Sequence, residues 1–168
     1  MRGFGVDDRN ANPATVRQAM DLDFVDIALR LGAATLAGIV IGINRDLADK
    51  PIGMRTLGLV SLGSAVVALA AIQFHNAAET PDALSRVVQG IIQGIMGGIS
   101  FIGAGVILRD TAKRTVEGLT TAATVWVSAA FGIACALAAW KLLFVATALA
   151  LFLLFAFAWT DKLFGSKD

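Results

Sequence analysis

The chain has 168 residues, 57% of them apolar and 16% charged, with a formal net charge of +1. A soluble domain is about 45–50% apolar and about 25% charged, so this composition argues against a soluble enzyme and for a protein of the bilayer. At about 20 residues per span, the length allows one domain with no more than about six transmembrane helices. The 14 basic and 13 acidic residues lie mostly between apolar runs, and no uniformly basic face is present. Nucleic acid is therefore not an expected partner. The single Cys135 sits inside an apolar run, which excludes an intrachain disulfide and a CxxC site and fits a small buried hydrophobe.

Residues 1 to 20 form a polar segment with no apolar h-region, which does not read as a cleavable signal peptide. Asp21 or Asp23 can cap the first helix, and the first span, Phe24 to about Ile43, acts as the insertion signal. Within it, Asp26 and Arg30 share a face at a four-residue spacing and can neutralise one another. The plainer reading is an interfacial ion pair with a snorkelling arginine; the functional one places Arg30 in a polar cavity. Gly38 and Gly42 then give a GxxxG face for close approach of another helix. Asn44, Arg45 and Asp46 meet the interface, followed by a turn at Lys50, Pro51 and Gly53 and then by Arg55 and Thr56. In a compact loop, Arg45 and Arg55 can both face Asp46 and Asp49; the plainer reading is positive-inside anchoring at the interface.

The second span is expected from Leu57 to Phe74 and the third from Val87 to Leu108. Span three carries two stripes. Gly90, Gly94 and Gly98 recur every fourth residue as a bare ridge. Beside them Arg86, Gln89, Gln93, Gly97 and Ser100 make one face polar over about two-thirds of the bilayer depth. Two amides at hydrocarbon depth imply either interhelical hydrogen bonds or a solvated path or ligand site. The loop that follows holds Arg109, Asp110, Lys113 and Arg114. Span four, Gly118 to about Leu137, offers the expected mate in Glu117, Thr121, Thr124 and Ser128. Hydroxyls can also satisfy themselves on the carbonyl four residues back.

Span five runs from Leu142 to Trp159, is apolar all round, and is expected to face lipid or a second subunit. Trp140 and Trp159 bracket it at the two interfaces. The turn between spans four and five, around Ala138 to Lys141, has no Gly, Pro or Asn to favour it. A hairpin is still required there, because one helix of about 44 residues is far too long for a bilayer.

The fold expected is thus an all-α bundle of about five transmembrane helices. Strands of a membrane barrel would alternate polar and apolar residues, and these runs do not. Arg45, Lys50 and Arg55 in one loop, with Arg109, Lys113 and Arg114 in another, place the amino terminus outside and the carboxy terminus in the cytoplasm. Arg2, Arg9 and Arg17 in the N-terminal segment vote the other way. No phosphate loop, HExxH or GxSxG motif is present. His75 has no second ligand nearby, and no cofactor is implied. Phe101 to Gly105, FIGAG, lies within an apolar helix with no strand before it and is not a nucleotide fingerprint.

The strings GIVIGINRDLADKPIGMRTLGLVSLGSAV, ISFIGAGVILRD and EGLTTAATVWVSAAFGIA closely resemble the membrane domain of the MgtC/SapB family of bacterial inner-membrane proteins. The resemblance covers about Leu29 to Leu137 and includes the loop residues Arg45, Pro51, Gly53, Arg55, Thr56, Arg109, Asp110, Gly118, Leu119 and Thr121. It implies a multi-pass protein of the inner (plasma) membrane, linked to magnesium limitation, acid tolerance and virulence. Some members look like regulators that bind other membrane proteins, the F-type ATP synthase among them. Asn44 stands where the family usually has Glu, which weakens a cation site there, and Ser100 replaces a common Gly. The ACT-like domain that many members carry is not expected. The division expected is a polar segment 1–20, a membrane domain 21–163 and a short tail 164–168.

Two functions follow. The first is a non-enzymatic regulatory or accessory protein acting through helix contacts with a partner complex or with itself. Its features are the cytoplasmic cluster Asn44, Arg45, Asp46, Arg55, Thr56, Arg109, Asp110 and Arg114. The second is a small transporter or channel for Mg²⁺ or protons along Gln89, Gln93, Thr121 and Thr124. Basic residues outnumber Asp46, Asp49, Asp110 and Glu117 at the inner mouth, which argues against a bare dication site and leaves any metal undetermined.

Overall fold

The computed structural model describes residues 23–76, 81–110 and 115–164. Among these lie five helices: α1 (Phe24–Leu47), α2 (Met54–Asn76), α3 (Pro81–Val106), α4 (Leu119–Ala136) and α5 (Trp140–Phe164). The bundle is all-α apart from a two-stranded ribbon between α3 and α4. There β1 (Leu108–Asp110) pairs antiparallel with β2 (Thr115–Glu117), Arg109 opposite Val116. The helices run beyond the apolar windows read from sequence, except that α3 stops at Val106, short of Leu108, and α4 starts at Leu119 and ends at Ala136. The segment read as a charged loop thus begins and ends as a hairpin. Asp23 takes the N-cap position of α1 in an extended conformation, without a side-chain cap bond; Asp21 lies outside the described residues.

Both sharp reversals use the same device. At the end of α1 the Lys50 N–H bonds the Arg45 carbonyl at 3.1 Å and the Asp49 N–H the Asp46 carbonyl at 3.2 Å. At the end of α4 the Ala139 N–H bonds the Ala134 carbonyl at 2.9 Å and the Ala138 N–H the Cys135 carbonyl at 3.0 Å. These are Schellman caps, which satisfy orphan carbonyls by turning one residue left-handed. That residue is Asp49 at φ 50° and Ala138 at φ 52°. The expected hairpin between the last two spans is therefore formed, at Leu137–Ala139.

α4 is the central helix and packs against α1, α2 and α3, with α5 alongside. Its buried set is small and apolar or hydroxylic: Val125, Ala129, Phe131, Gly132, Cys135 and Ala136 with Thr121, Thr124 and Ser128. Ile41 of α1 and Leu57 of α2 complete the core. Small side chains let the backbones come close. A methyl at Gly38 would strike the Leu57 carbonyl, one at Gly42 the Met54 backbone, and one at Gly132 the Ser61 carbonyl. In a bilayer, where lipid competes equally for apolar surface, such close approach is a main source of helix association. α5 lays Leu143, Ala146, Ala150, Leu151 and Leu154 on this core and turns Phe144, Leu149 and Phe152 outward.

Candidate functional site

Polar side chains at hydrocarbon depth are costly unless partnered, so the site is sought among them. α1 carries two arginines fifteen residues apart, and each reaches α4. Arg30 pairs with Asp26 at 2.8 Å and donates to the Ala136 carbonyl at 2.6 Å. This sets a cation on the negative end of the α4 dipole, a favourable arrangement. At the other end Arg45, 4% exposed, donates from Nη2 to the Thr121 hydroxyl in the first turn of α4. Its Nε has no partner among the described residues. Thr121 and Ala136 are also fifteen residues apart, about 22 Å of helix, so the antiparallel helices are tied at both ends. Arg30 is thus a tie between helices rather than a group in a polar cavity.

The expected compact loop of arginines on carboxylates is not what forms. Arg45 turns into the bundle and Asn44, 8% exposed, is buried with it. Asp46 instead accepts from the Met54 N–H at 3.1 Å and so caps the start of α2, where a carboxylate complements the dipole. A side chain at Gly53 would push that carboxylate out of its capping position. Asp49, Arg55 and Thr56 are exposed. Arg109 and Asp110 lie in β1; Arg114 falls outside the described residues. Among the described residues no three His, Cys, Asp or Glu side chains converge on a metal-sized site.

The two polar stripes also part company. Thr121, Thr124 and Ser128 are buried, and Thr124 satisfies itself on the Thr121 carbonyl at 2.7 Å. Gln89, Gln93 and Ser100 are exposed on α3, Ser100 bonding the Met96 carbonyl at 2.7 Å. Gly103 touches Ala122, so α3 and α4 do meet, yet the glutamines and threonines line no common path. The reason is angular: the buried side of α3 is the side of Ile91, Ile95, Ile99 and Gly103, and Gln89 and Gln93 lie about 100° and about 140° round the helix from its middle. Gly90, Gly94 and Gly98 have nothing within 4 Å of where a Cβ would stand. Unlike Gly38 and Gly42, they pack on no other part of the chain among the described residues.

Sequence reasoning missed Ser61 and Gly132. Ser61 and Ser128 are fully buried with hydroxyls unpartnered among the described residues, and Gly132 seats against the Ser61 carbonyl. The signal was present as small residues at steps of three and four on α2: Gly58, Ser61, Ala65 and Ala68.

Among the described residues four helices are long and apolar enough to cross a membrane, and α5 adds a shorter apolar stretch, Trp140–Ala156. With the close glycine contacts, they define a multi-pass α-helical membrane protein. Residues 31–163 match the MgtC family, and the chain belongs to that family. It is 40% identical to protein SrpB of Synechococcus elongatus over 133 residues, 74% of this chain and 71% of that protein. Protein SapB of Bacillus subtilis is 39% identical, over 65% of this chain and 47% of its own length. Protein MgtC of Salmonella typhimurium is 40% identical, over 71% and 47% respectively. The chain spans about half the length of these last two relatives. No solved structure matches it.

Proposed function

We propose that this chain is a non-enzymatic regulatory or accessory protein of the bacterial inner membrane, acting by contact between its helices and other membrane proteins. Its amino terminus lies outside and its carboxy terminus in the cytoplasm. The setting implied by the family resemblance is magnesium homeostasis, acid tolerance or virulence. The observation that carries the reading is the outer face of α3. Gln89 and Gln93 are exposed on a helix whose most apolar 18-residue stretch is only 11% buried. Gln93 lies about 12 Å of helix from Ser85, well inside the span. Two uncharged amides held there, beside a glycine ridge, suit contact with another helix better than contact with lipid.

The test is a photo-crosslinking residue at Gln93 in native membranes, with one at Leu149 on the outward face of α5 as control. The reading expects discrete adducts from Gln93 and none from Leu149. Lipid adducts alone at both positions contradict it. The transport reading asked Gln89, Gln93, Thr121 and Thr124 to share a path, and their separation onto two faces leaves it without support in this chain's geometry.

A further inference from the structure

The geometry points to an anion site where Arg45 of α1 meets the first turn of α4, built to take a phosphate group. It is independent of the outer face of α3 and stands or falls without it.

Arg45 is a buried cation whose charge no described residue answers. It is 4% exposed, its Nε has no hydrogen-bond partner among the described residues, and its Nη2 donates to the neutral Thr121 hydroxyl. A guanidinium carries five N–H donors and keeps its charge in proteins, so one such contact leaves all of the charge uncompensated. The acid next in the chain, Asp46, is engaged by the Met54 N–H at 3.1 Å, and Asn44, buried on the other side, is neutral. Among the described residues the ion pair is that of Asp26 with Arg30, at the other end of α1. Burying a charge without a counter-charge is costly, and a bound anion supplies one.

The helix end sharpens the demand. Arg30 sits at the carboxy end of α4, where the dipole is negative and favours a cation; Arg45 sits at the amino end, where it is positive and repels one. Gly118 takes the N-cap at φ 85° with no side-chain cap bond, and a Cβ there would strike the Val106 carbonyl. The first helical bond runs from the Ala122 N–H to the Gly118 carbonyl at 2.9 Å. The N–H groups of Leu119, Thr120 and Thr121 thus have no backbone acceptor among the described residues. Free backbone donors, a positive dipole end and a guanidinium without a counter-charge converge on one turn. Phosphate oxygens accept both from backbone N–H groups at helix starts and from a guanidinium fork, and their charge suits each. Thr120 is exposed and Gly118 half-buried, which opens the turn to the surface. At a membrane boundary the phosphate comes either from a lipid headgroup or from solution.

The experiment uses the purified full chain in a maltoside detergent, which brings no phosphate, and reads thermal unfolding in two titrations. One compares inorganic phosphate with chloride at equal ionic strength; the other compares phosphatidylglycerol with uncharged diacylglycerol. A ligand of the folded state raises Tm as it saturates. A rise of several degrees is expected from at least one phosphate: with the lipid alone the headgroup is the source, with inorganic phosphate the solution is. Each variant is read against its own Tm without ligand. Arg45→Gln should abolish the rise, and Arg45→Lys, which keeps the charge and loses the fork, should keep part of it. Arg30→Gln should leave it whole. Asn44→Asp, which sets a carboxylate next to the cation in the chain, should weaken the apparent affinity several-fold. No rise with either phosphate overturns the site. So does a rise equal in Arg45→Gln and the unaltered chain, the mark of a general salt or lipid effect, or equal in Asn44→Asp where Arg45→Gln does not fold. A rise seen only with Glu117→Gln also overturns it, because the counter-charge then belongs to the acid that precedes Gly118.

Discussion

α3 and α4 are neighbours of similar hydropathy, both carry polar residues at membrane depth, and they dispose of them in opposite ways. Within the most apolar 18-residue stretch of each, 61% of α4 is buried and 11% of α3. α4 turns Thr121, Thr124 and Ser128 inward, where Thr121 accepts from Arg45 and Thr124 bonds its own helix, and leaves only Thr120 exposed. α3 turns its amides outward and its isoleucines inward. A short hydroxyl can be satisfied by the backbone one turn back and fits a tight core; a glutamine amide is too long for a bundle whose helices meet at glycines. Polar residues of the first kind hold the chain together, and those of the second kind are left for something outside it.

The largest blow to this contrast should come from Thr121→Val. It removes the hydroxyl that accepts from a buried guanidinium, and stranding a charged donor costs about 3 kcal/mol. Thermal unfolding in detergent should show the loss, and Arg45→Met in the same chain should return part of it. Gly42→Ala comes next: its methyl enters the Met54 backbone, an overpacking worth about 2 kcal/mol. The same change at Gly94 meets open space and should leave the monomer's unfolding unaltered or raise it by up to about 1 kcal/mol through helix propensity. Equal losses at Gly42 and Gly94 would erase the distinction between the inner and outer glycines. The smallest effect sharpens the turn between α4 and α5. Ala138→Gly relieves a left-handed residue and should stabilise by up to about 1 kcal/mol, read as a rise in Tm.

Much of the fold was legible because apolar run length and helix geometry are local properties. The five expected helices are present among the described residues, with ends off by a few residues where amphipathic turns such as Asn44–Leu47 and Met54–Thr56 prolong them past the apolar windows. The reversal at Ala138 was expected from span length alone, since its chemistry gave no cue: an Asp and an Ala fill cap positions that usually take glycine. The pairing of Asp26 with Arg30 follows from helical spacing, and the structure adds the Ala136 carbonyl that spacing cannot supply. Which partner each polar stripe meets was not legible. Periodicity shows that Gln89 and Gln93 share a face, but it does not say whether that face looks toward Thr121 or away from the bundle. Arg45 shows the same limit: a loop-edge arginine reads as an interfacial anchor until tertiary packing carries it inside.

The central claim is that α4's polar residues serve the fold and α3's serve association. Its most direct test pairs photo-crosslinking from a probe at Gly97, on the exposed side of α3, in native membranes with thermal unfolding of the same chain, with and without Gln89→Leu and Gln93→Leu. We expect discrete protein adducts from the unaltered face, several-fold fewer from the Gln89→Leu, Gln93→Leu chain, and an unchanged unfolding temperature. Adduct yields equal in the two chains, or a doubly substituted bundle that no longer folds, would contradict the claim.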